Sequence, residues 1–284
     1  MIDIHTHLWD FEAMPEAIRT YFVGKGNEQV DPKKYTAEGL LESMSQAGIE
    51  YSIVSALAYS HDLSWDNIHE INEYVRKAVA ASDGKLIGFC TVDPFGGEAS
   101  ITMLRKCMEE EGFKGLKLHG NMQRFYPNDK RLYEIYKVMQ SYHKPILFHT
   151  GGIGLKAYRD CYGQISNFDD VACDFPELPI ILGHAGRLKY EELAVLLRKH
   201  TNIYADISTN FSKASEYRTK PMEKLFQTVL EWCGTSSHLL FGSDYPFYAQ
   251  KQTVDNMNLM EHRTEILKDL EDNTQVFVKK FGII

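Results

Sequence analysis

The sequence predicts an α/β protein of the (β/α)8 TIM-barrel class, folded as a single domain over residues 1–284. Three observations predict it. Short apolar runs rich in β-branched residues alternate with longer stretches of helical period, about eight times from one end to the other, which is the sign of βα units around a parallel sheet. The longer connections, Leu8–Tyr35, Gly120–Lys130, Gly151–Asn167 and Thr209–Pro221, each follow a candidate strand and precede a candidate helix, where a barrel builds its active-site face. A chain of 284 residues also suits one such unit.

In chain order, the candidate strands are Met1–His7, Glu50–Leu57, Lys85–Asp93, Gly115–His119, Pro145–Thr150, Pro179–Ala185, Asn202–Ser208 and His238–Asp244. Between the first three lie Leu40, Leu41, Met44 and Ala47, then Ile68, Ile71, Val75, Ala78 and Val79, whose i, i+3, i+4 spacing draws one apolar helical face each. Asp83-Gly84, Asp93-Pro94, Lys144-Pro145 and Leu178-Pro179 sit at strand ends and mark junctions, with no composition shift that would signal a linker. Met257, Met260, Ile266, Leu267 and Leu270 read as the buried face of a last helix.

With 44% hydrophobic and 25% charged residues, the chain has the composition of a soluble globular protein rather than a disordered or fibrous one. The formal net charge of −8 gives no global attraction to phosphate backbones or anionic lipid, so nucleic acid and membrane are not expected partners. No run approaches the roughly 18 apolar residues of a membrane span, and Met1-Ile2-Asp3-Ile4-His5 lacks a secretory pattern, so the expected location is the cytoplasm. Cys90, Cys107, Cys161, Cys173 and Cys233 are an odd, widely spaced set without a Cys-x-x-Cys. They are expected to be reduced and mostly buried, not a disulfide framework or a thiolate zinc site.

The strongest local signal is Asp3-Ile4-His5-Thr6-His7. Alternate residues of a strand share a face, so His5 and His7 point the same way and can chelate a divalent metal. Other ionisable residues also terminate apolar strands: His119 in Gly115-Leu-Lys-Leu-His, His149 in Leu147-Phe-His-Thr-Gly, His184 in Leu182-Gly-His-Ala-Gly and Asp244 in Phe241-Gly-Ser-Asp-Tyr-Pro. Such residues are costly there unless paired, and in a closed barrel all those strand ends converge on one mouth. Imidazoles with a carboxylate and no thiolate suit a catalytic divalent ion with a water position left open; zinc is favoured, with manganese as the alternative.

These motifs, with Gly112-Phe-Lys-Gly-Leu-Lys-Leu-His, Phe148-His-Thr-Gly-Gly, Gly183-His-Ala-Gly and Gly242-Ser-Asp-Tyr-Pro-Phe, resemble the amidohydrolase superfamily. The likeness is narrower to its amidohydrolase-related branch, which includes aminocarboxymuconate semialdehyde decarboxylase and γ-resorcylate decarboxylase. It runs in order and spacing from Asp3 to about Phe247. The resemblance implies that His5, His7, His149 and Asp244 hold the metal, with His184 beside it and His184 and Asp244 as acid–base residues. It also implies a small-molecule substrate; related barrels are often dimers, which offers a homodimer by analogy alone.

Lys117 faces the same way as His119, one layer deeper, and stands where binuclear relatives place a bridging carboxylated lysine. Three readings stay open for it: bridging ligand, ammonium for a substrate carboxylate, or buried ion-pair partner. The Lys-Leu-His arrangement resembles the mononuclear branch, which favours one metal and groups Lys117 with His119, Arg124 and Arg187 as substrate-binding candidates. Either arginine is equally readable as a solvated or structural residue. Asp206 either orients His184 or caps backbone, and Trp9, Phe11, Tyr59, Trp65, Tyr126, Tyr245 and Phe247 either wall the substrate or simply pack at loop bases. His61, His69, His143, His200, His238 and His262 read as surface or core histidines.

The expected activity is hydrolysis of a small amide, ester or lactone by a metal-activated water. The alternatives are non-oxidative decarboxylation of a small unsaturated or aromatic acid, a TatD-like nuclease, and a non-catalytic metal-binding scaffold. Strand three ends Thr91-Val-Asp-Pro without the glutamate such a nuclease carries, and the five mouth residues are all present, which disfavours the last two.

Overall fold

A computed structural model describes residues 1–14, 19, 31–153, 155–209, 220–260 and 263–284. His262 and parts of the connections Leu8–Tyr35, Gly151–Asn167 and Thr209–Pro221 lie outside the described residues. Eight parallel strands pair in sequence order: β1 (Ile2–His7), β2 (Tyr51–Ser55), β3 (Leu86–Cys90), β4 (Gly115–Leu118), β5 (Ile146–Phe148), β6 (Ile180–Leu182), β7 (Ile203–Asp206) and β8 (Leu239–Leu240). The seam between β8 and β1 is closed by backbone bonds from Ile4 N–H to Phe241 C=O (3.0 Å), Asp244 N–H to His5 C=O (2.8 Å) and His7 N–H to Tyr245 C=O (2.7 Å). The expected (β/α)8 barrel is therefore the observed one.

Alternation divides the apolar residues into two cores, broken in β1, where the register with β2 shifts between Asp3 and Thr6 so that Ile4 joins the interior and the next residue, His5, faces the mouth. Ile4, Ile53, Ile87, Phe89, Leu147, Ile181 and Leu240 form a cluster inside the barrel. Their neighbours Val54, Leu116, Ile146, Phe148, Ile180, Leu182 and Ala205 pack outward against the helices. Inside, the Phe89 ring fills the barrel beneath the mouth so fully that a Cβ on Gly115 would sit 2.6 Å from it, which is why β4 opens with glycine. Both helices read from apolar spacing form, over Ala37–Ala47 and Trp65–Ala80. Thr36 caps the first through Gly39 N–H (3.2 Å), and Ser64 and Asn67 cap the second reciprocally.

The strands are shorter than expected, because the ladders stop where the chain turns at the mouth. The predicted Lys85–Asp93 pairs only over Leu86–Cys90, and the predicted His238–Asp244 only over Leu239–Leu240. The single last helix expected around Met257–Leu270 is two helices, Gln250–Met257 and Arg263–Lys280, although Met257, Met260 and Leu270 are buried as expected. The cysteines form no disulfide, but only Cys90 and Cys107 are buried; Cys161 and Cys173 are exposed, on the 3-10 turn Asp160–Gly163 and on the helix Phe168–Asp174. Among the described residues no helix is long and apolar enough to cross a membrane.

Candidate metal centre

The mouth holds a cavity of about 220 Å³ lined by apolar Leu57, Met122, Ile153 and Phe247 and by polar groups from most of the strand ends. At its floor, one ligand atom each of His5, His7 and Asp244 lies within 4.8 Å of the others. The Asp244 Oδ1 is 3.8 Å from His5 Nε2 and 3.7 Å from His7 Nε2, and all three residues are buried. The β1 strand sets the two histidines on one face, and the backbone bond from Asp244 N–H to His5 C=O brings the carboxylate beside them. Asp244 adopts a left-handed backbone with φ of 67°, a strained conformation of the kind that clusters at functional sites.

The hydrogen-bond network assigns the tautomers. His7 Nδ1 is 2.9 Å from the Ser55 carbonyl, which can only accept, so Nδ1 carries the proton and Nε2 a lone pair. His5 Nδ1 donates to Asp206 Oδ2 (2.9 Å), which leaves its Nε2 to accept from Lys117 Nζ at 3.1 Å. Asp206 Oδ1 accepts from the Ser208 hydroxyl and from the backbone N–H groups of Ser208 (2.9 Å) and His184 (3.2 Å). With its proton given to Asp206, Ser208 Oγ accepts from His184 Nδ1 (2.8 Å), so His184 Nε2 must accept from His149 Nδ1 (2.9 Å). This leaves His149 Nε2 as a bare lone pair, buried and, among the described residues, without a hydrogen-bond partner.

Burial, followed by the Lys117 charge, holds the His5 and His7 imidazoles below their ordinary range, so both are neutral donors. Burial also keeps His119, His149 and His184 well below it. The same burial raises Asp244 to about 8 and lowers Lys117 to about 8. For Asp206 burial alone would raise the carboxyl, but His5 and the donors from Ser208 and His184 outweigh it and hold it below the usual range.

Nitrogen lone pairs on His5, His7 and His149, each on a neutral ring and that of His5 now accepting from Lys117, with one carboxylate beside two of them, are a donor set that fits a divalent metal. His149 is not within the tight group. Its Nδ1 is tied to His184, its ring stacks on His119 (centroids 3.9 Å, interplanar angle 9°), and Lys117 Nζ stands at His5 Nε2. Lys117 occupies the deeper layer expected of it. Arg187 and His119 also line the cavity, whereas Arg124 is exposed and pairs with His61 Nε2 at 3.0 Å, away from the lining. Of the aromatic candidates Phe247 lines the cavity and Trp9 packs on it (5.5 Å), while Trp65 and Tyr126 are exposed. Sequence reasoning underweighted Asp206 and Ser208. Asp206 orients His5 by its side chain and His184 only through backbone, and the period of two in β7 already put both residues on the inward face. Asp3 went unremarked: it accepts from Ser243 N–H (3.0 Å), Ser243 Oγ (2.6 Å) and Gln250 Nε2 (2.8 Å), and so pins the Asp244 turn.

Known structures share this architecture. An uncharacterized TIM-barrel protein from Bordetella bronchiseptica superposes with a TM-score of 0.76 at 18% identity, covering 99% of this chain and 100% of that one. A dihydroxybenzoic acid decarboxylase from Polaromonas sp. JS666, with bound manganese and the inhibitor 2-nitroresorcinol, gives 0.67 at 16% identity, covering 97% and 96%. A probable 2-pyrone-4,6-dicarboxylic acid hydrolase from Acinetobacter baumannii, with citric acid bound, gives 0.62 at 13% identity, covering 99% and 94%. At these identities the likenesses establish the fold. A family model described as amidohydrolase matches residues 2–279, nearly the whole chain. The chain therefore belongs to the amidohydrolase family, and is an enzyme of that metal-dependent superfamily.

Proposed function

We propose that this enzyme hydrolyses a small carboxylated amide, ester or lactone with one divalent metal, zinc in the first place, held by His5, His7, His149 and Asp244. The observation that carries the reading is the pairing of fixed lone pairs on His5 and His7 with the Asp244 carboxylate, at the floor of a cavity that Lys117 and Arg187 also line. A bound divalent ion would polarise the scissile carbonyl and bring the pKa of a water toward ~7.

The chain's own residues supply the rest. Lys117 and Arg187 place two cationic side chains at the cavity, where they pair with a substrate carboxylate against the overall charge of −8. Asp244 takes the proton of the attacking water and returns it to the leaving group. Both ring nitrogens of His184 are engaged, by Ser208 and His149, so its task is to hold His149 in the tautomer with a bare Nε2. Leu57, Met122, Ile153 and Phe247 exclude water around the reacting group.

That apolar wall favours a second reading, decarboxylation of a small unsaturated or aromatic acid, which the manganese-bound decarboxylase of like fold also supports. Metal analysis, followed by assays of zinc- and manganese-loaded protein on lactones, amides and aromatic carboxylates, separates the two. Incorporation of labelled water oxygen into product supports hydrolysis, and CO₂ release supports decarboxylation. Protein that binds no metal, or whose turnover survives chelation, refutes both.

A further inference from the structure

At the end of the barrel opposite the mouth, three metal-ligating side chains meet that the reaction does not use. Asp169 and Cys173 stand four residues apart on the helix Phe168–Asp174, which places them on one face. His200 caps the end of the adjacent helix Tyr190–Lys199, just ahead of β7. A carboxylate oxygen, a thiol sulfur and an imidazole nitrogen from the three lie within 4.8 Å of one another, and His200 Nε2 is 2.7 Å from Asp169 Oδ1. His200 is buried, Asp169 half-buried, and Cys173 is exposed and free. The cluster already holds a cation: Lys199 Nζ lies 2.6 and 2.8 Å from the two Asp169 oxygens, and the Asp169 and Cys173 side chains both favour its charged form.

We propose that Asp169, Cys173 and His200 form a second metal site, selective for a thiophilic divalent ion such as zinc, with water as fourth ligand. Oxygen, nitrogen and sulfur donors together match zinc in softness, and bonds of about 2.0–2.3 Å in a tetrahedron need donor separations of roughly 3.3–3.8 Å. The three side chains reach that by sub-ångström to ångström adjustments at a largely solvent-facing position. Lys199 is half-exposed, on a long flexible stem, and leaves when the ion enters. The Cys173 thiol releases its proton to solvent and binds as thiolate. The exchange balances: a +2 ion enters, an ammonium and a proton leave. Once bound, the ion clamps together two helices that flank β6, the strand leading to His184.

The metal-ligand residues of the mouth carry no thiol, and Met122 in its wall offers only a neutral thioether, so a thiolate band separates the two sites. With the mouth loaded with zinc, the intact protein is titrated with Co²⁺ and followed by its thiolate-to-cobalt charge-transfer absorption. A band saturating at one equivalent is expected in the wild type and in Cys161→Ser, which removes the other exposed cysteine. Cys173→Ser and His200→Gln abolish it. Lys199→Gln tightens cobalt binding about tenfold, the ~1.4 kcal/mol expected for removing one solvent-screened competing charge. No band, a band that survives Cys173→Ser, or one lost in Cys161→Ser overturns the proposal, and circular dichroism of each variant checks the fold.

Discussion

Replacing Asp206 by Asn tests whether tautomer control at His5 sustains metal binding. Oδ1 of Asp206 accepts from three donors, two backbone N–H groups and the Ser208 hydroxyl, while Oδ2 faces only His5 Nδ1. An asparagine therefore turns its carbonyl to the three donors and its NH₂ to His5, since the opposite orientation opposes donor to donor three times. His5 Nδ1 must then accept, which moves the imidazole proton to Nε2, the nitrogen facing His7 and Asp244. Losing an orienting partner of this kind costs about 10–100-fold in metal affinity, or ~1.4–2.7 kcal/mol. Competition against a metal buffer measures the affinity, and ¹⁵N resonances of the imidazoles report the tautomer independently. A variant with wild-type affinity, or with lost affinity but an unmoved His5 tautomer, refutes the reasoning.

Three further outcomes follow from the same geometry. A Cβ on Gly183 would lie 2.7 Å from the Phe148 carbonyl and 3.1 Å from His5 Cε1, so Gly183→Ala is expected to cost roughly 1–3 kcal/mol of stability by overpacking and to weaken metal binding, read by urea unfolding and metal titration. In chelated protein, Asp244, raised to about 8, holds a proton in the folded state that the unfolded chain releases near its ordinary 3.8, so its contribution to stability is lost as pH rises from about 4 to about 8. Lys117, lowered to about 8, makes stability climb again from about 8 toward its ordinary 10.5, which puts a minimum near pH 8. Thermal unfolding of chelated protein should show that minimum, Asp244→Asn should remove its acidic limb, and added zinc should stabilise more at pH 8 than at pH 6; a flat profile contradicts the burial argument. Arg187→Met should raise KM for a carboxylated substrate with kcat little changed, and an unchanged KM removes Arg187 from substrate binding.

The barrel was legible because its signal is repeated: eight apolar runs ending in turns, with alternation deciding which face each residue takes. The same alternation placed His5 with His7 and Lys117 below His119, since a strand's period of two survives any error in its ends. What required the structure was pairing between strands distant in sequence. Nothing in Tyr204-Ala-Asp-Ile-Ser states that Asp206 reaches His5, 201 residues away, because that partnership depends on the distance across the mouth and on which imidazole nitrogen is turned outward. The placement of Arg124 was illegible for the converse reason. It follows a strand that contributes to the site, but its own left-handed backbone, φ of 56°, ends the short helix Gly120–Gln123 and the side chain lies exposed beside His61. The exposed Cys161 and Cys173 likewise depend on helix and loop orientation, which composition does not carry.

The mouth is also where the chain departs from what stability alone would select. Asp3, His5, His7, Lys117, His119, His149, His184, Asp206 and Asp244 are all buried, a concentration of ionisable groups costly to desolvate. His184, Ala185, Arg187 and Asp244 add left-handed backbone at φ of 43–67°, which for non-glycine residues costs about 1–3 kcal/mol each. Such a layer persists only if the structure beneath it is rigid. Here that support is the barrel's interior cluster, where Ile4, Ile53, Ile87, Phe89, Leu147, Ile181 and Leu240 close off the floor, and Phe89 against Gly115 leaves no space for the layer above to relax into. The hydrogen bonds of Asp206 and Asp3 then fix orientation rather than supply net stability, holding His5 and the Asp244 turn in one arrangement. Trimming the floor by Phe89→Ala should therefore cost metal affinity as well as the roughly 3–5 kcal/mol of a large-to-small core change. If stability falls by that amount while metal affinity is unaffected, the mouth is held by its own hydrogen bonds and the floor has no part in orienting it.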